Sequence, residues 1–374
     1  MGLGLRALFT AITAGAVLIL TVWYYEMQIH FGFKIAVGAT ILLYLFIPFL
    51  FHFSISIQQH LVFLPFVRWP HNVNFSAPET EELFGTRNLY LTPEEGISIG
   101  VWHLLPNSLI ADSKGRNDEY WENAMRNSGR PIILYLHGNS GSRAGPHRKE
   151  LYQILQELDS HVLCLDYRGY ADSTQVAPTE TGVVSDARAL YKYIRRIVGN
   201  TGNTKIFVWG HSLGTGVASH MVADLCVEGD SPAALILESP FTNIGEEVKN
   251  HMLSAIYRYL PGFDYIFVRP LEKNDIAFQS DRHIAKIDIP IAIFHAIDDP
   301  VVPFALGVKL FRIAGRSRGT LAKPVYFKRF GEGFAHKFIC RSPDLPNLVK
   351  QFQNCTTSDT WPCVGFDNFN IEIE

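Results

Sequence analysis

The chain has 374 residues, of which 47% are apolar and 18% charged, and its formal net charge is −3. This apolar content excludes a disordered or low-complexity chain, which cannot bury enough apolar surface to fold. The small net charge argues against a nucleic-acid-binding protein, which normally presents a strongly basic face.

The first 70 residues form an apolar arm. Their charged side chains are Arg6, Glu26, Lys34 and Arg68. Two uncharged segments of 19 residues, Ala7–Tyr25 and Ile35–Phe53, are just long enough for a membrane-crossing helix, which takes about 20 residues. We therefore predict a transmembrane arm at residues 1–70 with candidate spans at 7–25 and 35–53, the second kinked at Pro48.

A cleaved signal peptide is the alternative for the first segment, because Arg6 precedes an apolar run. The bulky residues Val22–Tyr25 stand where small residues should mark a cleavage site, which favours retention of the segment. If only 35–53 crosses, the positive-inside rule places the body in the lumen, opposite Arg6 and Lys34. If both segments cross, the body lies in the cytosol.

Glycosylation triplets and cysteines leave this choice open. Asn74 and Asn354 each begin an Asn-x-Ser/Thr triplet, but such triplets also arise by chance. The five cysteines are Cys164, Cys226, Cys340, Cys355 and Cys363, an odd and sparse set that indicates no disulfide framework. Cys355 and Cys363 could pair if the body is luminal. No Cys/His spacing resembles a zinc site, and no metal is predicted.

The body, residues 71–354, alternates predicted strands and helices. The predicted strands cover Arg87–Leu91, Ile97–Leu105, Pro131–Leu136, His161–Asp166, Lys205–Trp209, Ala233–Leu237, Ile291–Phe294 and Val325–Phe330. The predicted helices cover Glu150–Leu158, Thr179–Val198, Leu213–Cys226 and Asp344–Phe352. Asn107–Arg130 is expected to be a polar surface excursion, and residues 355–374 a C-terminal tail. Continuous apolar strands between helices predict an α/β fold, a mostly parallel sheet with helices on both faces.

A long insertion, Gly245–Lys286, separates two late strands. Its aromatic residues are Tyr257, Tyr259, Phe263, Tyr265, Phe267 and Phe278. They are consistent with a lid over an apolar substrate or with a small core of the insertion itself, and the two interpretations are compatible.

The strongest local motif is Gly210-His211-Ser212-Leu213-Gly214, between a predicted strand and a predicted helix. This is the context of a nucleophile elbow, whose glycines permit a tight, strained turn. The helix that begins at Leu213 also directs its positive end toward the serine. The context therefore predicts Ser212 as a nucleophile, although the bare motif occurs by chance.

A serine nucleophile needs a base and an orienting acid, which follow in the chain order acid then histidine. Asp298 and Asp299 follow a predicted strand, and either could be the acid, the other serving as a loop cap before Pro300. His336 follows the last predicted strand in a glycine-containing loop and is the predicted base.

The loop Tyr135–Gly141 follows the first strong parallel strand and is the expected source of one oxyanion donor. We predict the backbone N–H groups of Asn139 and Leu213 as the two donors. The loop lacks the G-x-G-x-x-G dinucleotide fingerprint, and a serine mechanism of this kind requires no metal or organic cofactor.

Together these segments resemble the membrane-anchored serine lipases of the alpha/beta-hydrolase domain-containing protein 12 family. The matching stretches are Tyr135–Asn139, Asp166–Gly169, Gly210–Gly216, Leu237–Ile244 and His295–Pro303. The resemblance implies an alpha/beta-hydrolase fold, a triad of Ser212, Asp299 and His336, and no cofactor. It further implies hydrolysis of the single acyl ester of lysophosphatidylserine and of monoacylglycerols at a luminal site of the endoplasmic reticulum membrane.

Two features depart from the family pattern. Ala171 replaces the second glycine of the D-Y-R-G-x-G-D-S loop, and residues 7–25 offer a second candidate span. Two other functions remain to be separated from the lipid esterase. One is a different acyl hydrolase on the same fold, such as a thioesterase, depalmitoylase or peptidase, and the other is a non-catalytic membrane scaffold.

Overall fold

The computed structural model describes residues 3–24, 31–199 and 204–367. In this part of the chain, eight strands form one sheet: β1 Thr86–Glu94, β2 Ile97–Leu104, β3 Ile132–Leu136, β4 His161–Leu165, β5 Ile206–His211, β6 Ala234–Glu238, β7 Ile291–Ala296 and β8 Val325–Phe330. Their order is β1-β2-β4-β3-β5-β6-β7-β8. β2 pairs antiparallel with β1 and β4, and all other pairs are parallel. The predicted α/β fold is confirmed.

Helices cover both faces of this sheet, so each central strand is buried on both sides. Alternate residues of β3 separate into two cores: Ile132, Leu134 and Leu136 lie in one, and Ile133 and Tyr135 in the other. The main helices of the body are Asn107–Ser113, Asp118–Asn127, Pro146–Glu157, Glu180–Val198, Leu213–Glu228, Phe304–Ser317 and Leu345–Ser358. This double burial explains why the strands are continuous apolar runs in the sequence.

The stretch Asn107–Arg130 differs from the expected surface excursion. It contains two helices, and the second, Asp118–Asn127, buries Trp121 and Met125 one turn apart. The side chain of Asn117 caps this helix by accepting a hydrogen bond from the Tyr120 N–H at 3.3 Å. Its two buried residues were too few to stand out against the charges around them.

The arm is helical over most of its described length. Its helices are Leu3–Tyr24, Phe31–Ile41, the π-helical turn Leu42–Phe46, Ile47–Phe53 and Ile55–Phe63. Among the described residues, Phe33–Phe53 is the helix long and apolar enough to cross a membrane, and Phe9–Leu20 is a shorter apolar helix. The predicted span 35–53 falls within Phe33–Phe53. The other predicted span, 7–25, ends at Tyr25, which lies outside the described residues.

The last helix of the arm, Ile55–Phe63, packs on the body, although the expected division lies at residue 70. Gln58 is fully buried and donates a hydrogen bond from Nε2 to the Phe51 carbonyl at 2.6 Å. Its Oε1 accepts one from Asn274 of the insertion at 2.7 Å. Phe63 is also fully buried and contacts the ring of Phe278 edge-on. Structurally, the hydrolase body therefore includes this helix.

The insertion is a set of short helical segments, some of which contact the arm, whereas the last two pack against the helices Leu213–Glu228 and Phe304–Ser317. The segments are Ile244–Asn250, Met252–Ser254, Asp264–Val268, Arg269–Lys273, Ser280–His283 and Ile284–Lys286. Phe263 and Phe278 are buried, whereas Tyr259 is 89% exposed. The Phe267 ring lies 5.2 Å from that of Phe51. The aromatic residues therefore both form a local core and join the insertion to the arm.

The C-terminal segment remains attached to the sheet. A disulfide joins Cys355, in the helix Leu345–Ser358, to Cys363, with a Cα–Cα distance of 5.9 Å. Phe366 stacks on Phe294 of β7 and packs against Tyr326 of β8. The described part of the predicted tail, residues 355–367, thus covers one end of the body.

Candidate active site

Ser212 lies in a sharp turn between β5 and the helix Leu213–Glu228. Its backbone has φ 54° and ψ −123°, a conformation that L residues rarely adopt. A Cβ at Gly210 would lie 2.4 Å from the Gly214 carbonyl oxygen, and one at Gly214 would lie 2.1 Å from the Leu136 carbonyl oxygen. Both glycines are therefore required for the turn, and the elbow geometry expected from the motif is present.

The three predicted triad residues come together from separate parts of the chain. Ser212 Oγ lies 2.8 Å from His336 Nε2, and His336 Nδ1 lies 2.7 Å from Asp299 Oδ2. All three side chains are buried. With the imidazole neutral, Nδ1–H donates to Asp299 and Nε2 accepts the serine proton. The arrangement can deprotonate Ser212 as it attacks a carbonyl carbon.

Asp299 is held as a carboxylate by several donors. Its Oδ1 accepts hydrogen bonds from the Val301 and Val302 N–H groups, both at 2.9 Å. Burial alone raises the pKa of Asp299, but interactions with His295 and His336 outweigh it and hold this pKa well below its usual range. The acid is therefore ionised and can stabilise a positively charged His336.

Asp298, the other candidate for the acid, has different hydrogen-bond partners. Its Oδ2 accepts from the Gly333 N–H at 2.6 Å, and its Oδ1 accepts from the Ala335 N–H at 3.0 Å. Both donors belong to the loop that carries His336. Asp298 thus fixes the loop of the base, whereas Asp299 contacts the base itself.

The predicted oxyanion donors flank the nucleophile. Leu213 is the first residue of its helix, so its N–H has no acceptor within that helix. Asn139 follows β3, and its side-chain amide donates to the Val62 carbonyl at 3.1 Å. Asn139, Leu213 and Ser212 border the same cavity. The two backbone donors are thus suitably located, and their role stays a prediction.

A buried ion-pair network supports the Asn139 loop. Asp166 accepts hydrogen bonds from the backbone N–H and the guanidinium of Arg143, at 2.8 and 2.5 Å. His137 Nε2 lies 3.3 Å from the same carboxylate. Arg148 donates to the carbonyl of Ser140 at 2.6 Å. Asp166 therefore orders the loop rather than taking part in proton transfer.

Three further buried polar residues surround the triad, and two of them, His295 and Glu238, were not assigned from the sequence. His295 Nε2 donates to the Val302 carbonyl at 3.0 Å and lies 3.4 Å from Asp299 Oδ2. His211 Nε2 donates to the His336 carbonyl at 2.9 Å. Glu238 accepts from Trp209 Nε1 at 2.9 Å, and burial raises its pKa to about 7. The sequence signal that could have identified them is a polar residue at or next to the end of each apolar strand β5, β6 and β7.

A cavity of about 430 Å³ opens beside Ser212. The arm supplies much of its apolar wall through Ile47, Leu50, Phe51, Ile57, Leu61 and Val62. Tyr257 and Phe267 of the insertion complete this wall. Such a site can hold a hydrocarbon chain with its carbonyl group at the nucleophile.

One cluster of side chains outside the triad has metal-ligand chemistry. Potential ligand atoms of Glu180, His220 and His283 lie within 4.8 Å of one another. Protein donors already satisfy the carboxylate of Glu180: His220 Nδ1 lies at 2.7 Å, and the N–H groups of Ala277 and Phe278 at 2.9 and 2.6 Å. Among the described residues, this cluster therefore has an internal explanation as a buried ion pair that anchors the insertion.

Comparisons with known proteins agree with this geometry. The family model of the alpha/beta hydrolase fold matches residues 131–267. The chain is 46% identical over 312 residues to lysophosphatidylserine lipase ABHD12 of Danio rerio, covering 83% of this chain and 80% of that protein. The Mus musculus protein of the same name is 45% identical over 311 residues, with 83% and 77% covered. Protein ABHD12B of Homo sapiens is 37% identical over 301 residues, with 80% and 81% covered.

Solved structures share the fold at low sequence identity. An alpha-beta hydrolase from Vibrio vulnificus is 15% identical, covers 80% of this chain and 91% of its own, and has a TM-score of 0.57. Est1E from Butyrivibrio proteoclasticus, solved with ferulic acid, is 17% identical, covers 72% and 99%, and has a TM-score of 0.52. These structures establish the alpha/beta-hydrolase fold of the body.

Proposed function

Because the chain belongs to the alpha/beta-hydrolase family of the ABHD12 lysophosphatidylserine lipases and is therefore a carboxylic-ester hydrolase, we propose that it releases the fatty acid from lysophosphatidylserine and from monoacylglycerols. The observation that carries this proposal is the hydrogen-bonded series Ser212–His336–Asp299 at the mouth of an apolar cavity. Substrate and product are then a single-chain amphiphile and a free fatty acid.

The reaction proceeds through an acyl-enzyme. His336 takes the hydroxyl proton as Ser212 Oγ attacks the ester carbonyl, and the ionised Asp299 stabilises the imidazolium. The N–H groups of Asn139 and Leu213 bind the oxyanion, each contributing on the order of 3 kcal/mol to transition-state stabilisation. His336 returns the proton to the leaving alcohol, then activates water to release the fatty acid.

The cavity wall supports a lipid as the substrate. Ile47, Leu50 and Phe51 belong to the membrane-spanning helix and also line the cavity beside Ser212. An acyl chain that leaves the bilayer along this helix remains in contact with apolar side chains, so little hydrophobic stabilisation is lost during transfer. A water-soluble substrate would gain nothing from this arrangement.

We also propose that the body faces the lumen of the endoplasmic reticulum. With Phe33–Phe53 as the membrane span, Arg6 and Lys34 lie before or at its beginning and the body follows its end. The positive-inside rule favours a cytosolic location for such cations. The disulfide Cys355–Cys363 also suits an oxidising compartment.

Substitution of the nucleophile tests the proposed reaction. Ser212→Ala should lower fatty-acid release from lysophosphatidylserine and from 1-oleoylglycerol by about 10⁴-fold or more, because the attacking oxygen is lost. Wild type and Ser212→Ala would be assayed as full-length proteins in membranes, with mass-spectrometric detection of the released fatty acid. Ser219→Ala is the matched control, since Ser219 is a buried serine in the helix that follows the elbow.

Three outcomes would contradict the proposal. Full turnover by Ser212→Ala would remove the serine from the mechanism. A wild-type preference for acyl thioesters or peptides over both lipids would instead assign another acyl hydrolase. If a fluorophosphonate probe failed to label Ser212 in the folded wild-type protein, a non-catalytic scaffold would be favoured.

A further inference from the structure

The cavity beside Ser212 contains a carboxyl group that the proposed mechanism does not use. Glu247 lies on the short helix Ile244–Asn250 and lines this cavity. Its side chain belongs to a residue that is only 9% exposed. Its Oε2 atom is buried and has no hydrogen-bond partner among the described residues. A buried polar atom in such a position calls for a hydrogen-bond partner from elsewhere.

The neighbouring residue shows that this situation is specific to Glu247. Glu246 forms an ion pair with Lys309 and accepts a hydrogen bond from Thr242 Oγ1 at 2.6 Å. Burial, together with the nearby charge of Asp299, raises the pKa of Glu247 to about 8. An unpaired buried polar group is costly, so a ligand that supplies a donor gains affinity there.

The position of Glu247 indicates which part of a substrate would meet it. Glu247 shares the cavity with Ser212 and Asn139, and it lies within electrostatic reach of Asp299. It therefore lies near the ester rather than at the far end of the acyl chain. The two proposed substrates differ in their headgroups, but each carries a free glycerol hydroxyl group beside its single ester.

We propose that Glu247 accepts a hydrogen bond from this free glycerol hydroxyl group and so selects lipids with one acyl chain. The assignment rests on the proposed function and names the feature that its two substrate classes share. In a diacyl lipid the corresponding oxygen is esterified and has no proton to donate, which leaves the buried carboxyl unpaired. Glu247 is thus a specificity-determining residue that leaves the proton transfers to His336.

The test compares substrates that carry this donor with substrates that lack it. 1-Oleoylglycerol carries the hydroxyl group, propyl oleate lacks it, and lysophosphatidylserine carries both the hydroxyl group and an ammonium group. A 2-deoxy analogue of lysophosphatidylserine retains only the ammonium group. Propyl oleate also lacks the terminal hydroxyl group of 1-oleoylglycerol, whereas the 2-deoxy analogue of lysophosphatidylserine lacks this donor alone. Each would be assayed with full-length wild type, Glu247→Leu, Glu247→Gln and the control Glu246→Gln, and fluorophosphonate labelling of Ser212 would verify that each variant is folded.

Glu247→Leu should lower kcat/KM for 1-oleoylglycerol and lysophosphatidylserine by about 3- to 10-fold, the range expected for loss of a buried hydrogen bond between neutral groups. Its activity on propyl oleate should stay within about twofold of wild type, because that substrate never supplied the donor. Glu247→Gln, which retains an acceptor oxygen, should restore part of the loss. Glu246→Gln should match wild type on all four substrates.

Other results would overturn the assignment. An equal loss on propyl oleate would mean that Glu247 only supports the structure. A loss confined to lysophosphatidylserine and its 2-deoxy analogue would identify the headgroup ammonium as the donor instead. If wild type hydrolysed none of the four esters, the proposed function itself would fail, and this inference with it.

Discussion

At the scale of single residues, neighbouring positions with the same chemistry have different tasks. Asp298 and Asp299 are adjacent, yet one accepts from loop N–H groups and the other from His336. From the sequence, either could be the acid, because a strand end followed by a turn fits both. Which of the two aspartates contacts His336 depends on the direction in which each side chain leaves the backbone, and this direction is determined by the folded loop.

Ala171 has a strained backbone conformation at a position where the family pattern has glycine. It has φ 45°, in the left-handed region, at the position where the family resembled by this chain has a glycine. A Cβ in that region destabilises the folded state by roughly 1–2 kcal/mol. Glycine would remove this strain, but it would also stabilise the unfolded chain by about 0.4–1 kcal/mol through its greater conformational entropy. The loop is fixed by the hydrogen bond from the Gly169 N–H to the Thr174 carbonyl at 2.8 Å, so the strain cannot relax freely.

Ala171→Gly should therefore raise the free energy of unfolding by about 0.5–1 kcal/mol. Denaturant unfolding of the full-length protein would measure it. Ala111→Gly, in the helix Asn107–Ser113, makes the same chemical change where the backbone is helical, and it should lower stability by about 1 kcal/mol. Destabilisation by both substitutions would contradict the idea of strain at Ala171.

At the scale of elements, predictability follows burial. The predicted strand His161–Asp166 is observed as His161–Leu165, and the predicted strand Pro131–Leu136 is observed as Ile132–Leu136. Buried parallel strands are continuous apolar runs, so composition alone delimits them. The helix Asp118–Asn127 was missed because its apolar face is narrow.

Contacts between elements distant in sequence were beyond the reach of such patterns. No periodicity relates the arm to the insertion, yet the Tyr44 and Tyr257 rings lie 6.1 Å apart. The helix Ile55–Phe63 likewise forms part of the cavity wall through Ile57, Leu61 and Val62. The three residues of the predicted triad could therefore be named from the sequence and lie within hydrogen-bond distance of one another, whereas the cavity beside Ser212 emerged only from the tertiary structure.

Narrowing the cavity from this helix should change the preferred chain length. Leu61 lines the cavity and is 49% exposed, so a larger ring can enter without disturbing the core. Leu61→Trp should lower kcat/KM for 1-oleoylglycerol by roughly tenfold, since displacing two methylene groups costs about 1.6 kcal/mol. Activity on a butyryl ester of glycerol should be unchanged, because its chain is too short to meet the ring.

The matched control is Leu321→Trp, at a position that is 95% exposed and does not line the cavity. It should leave the ratio of oleoyl to butyryl turnover at the wild-type value. If Leu61→Trp reduced turnover of both esters equally, the acyl chain would have to lie elsewhere.

At the scale of the whole molecule, the arm contains the candidate membrane span and also forms part of the wall of the candidate site. Phe51 belongs to the helix Phe33–Phe53, which is long and apolar enough to cross a membrane, and it contacts Phe267 of the insertion and lines the cavity. Cleavage between arm and body would therefore remove a wall of the cavity beside Ser212 as well as the candidate membrane span. The side of the membrane on which the body lies then determines which lipid pool the site can reach.

Glycosylation mapping tests the proposed luminal orientation. Asn74 and Asn354 are both exposed on the body. If the body is luminal, endoglycosidase H should increase the electrophoretic mobility of the wild-type protein, and Asn74→Gln and Asn354→Gln should each remove part of this shift. Asn347→Gln, outside any acceptor triplet, should leave the shift unchanged.

Protease protection tests the same orientation. Protease added to sealed microsomes should spare a luminal body, since the bilayer separates the protease from it. Complete digestion together with an absent glycosidase shift would place the body in the cytosol, which requires a second crossing before Phe33, and the site would then draw on the cytosolic leaflet.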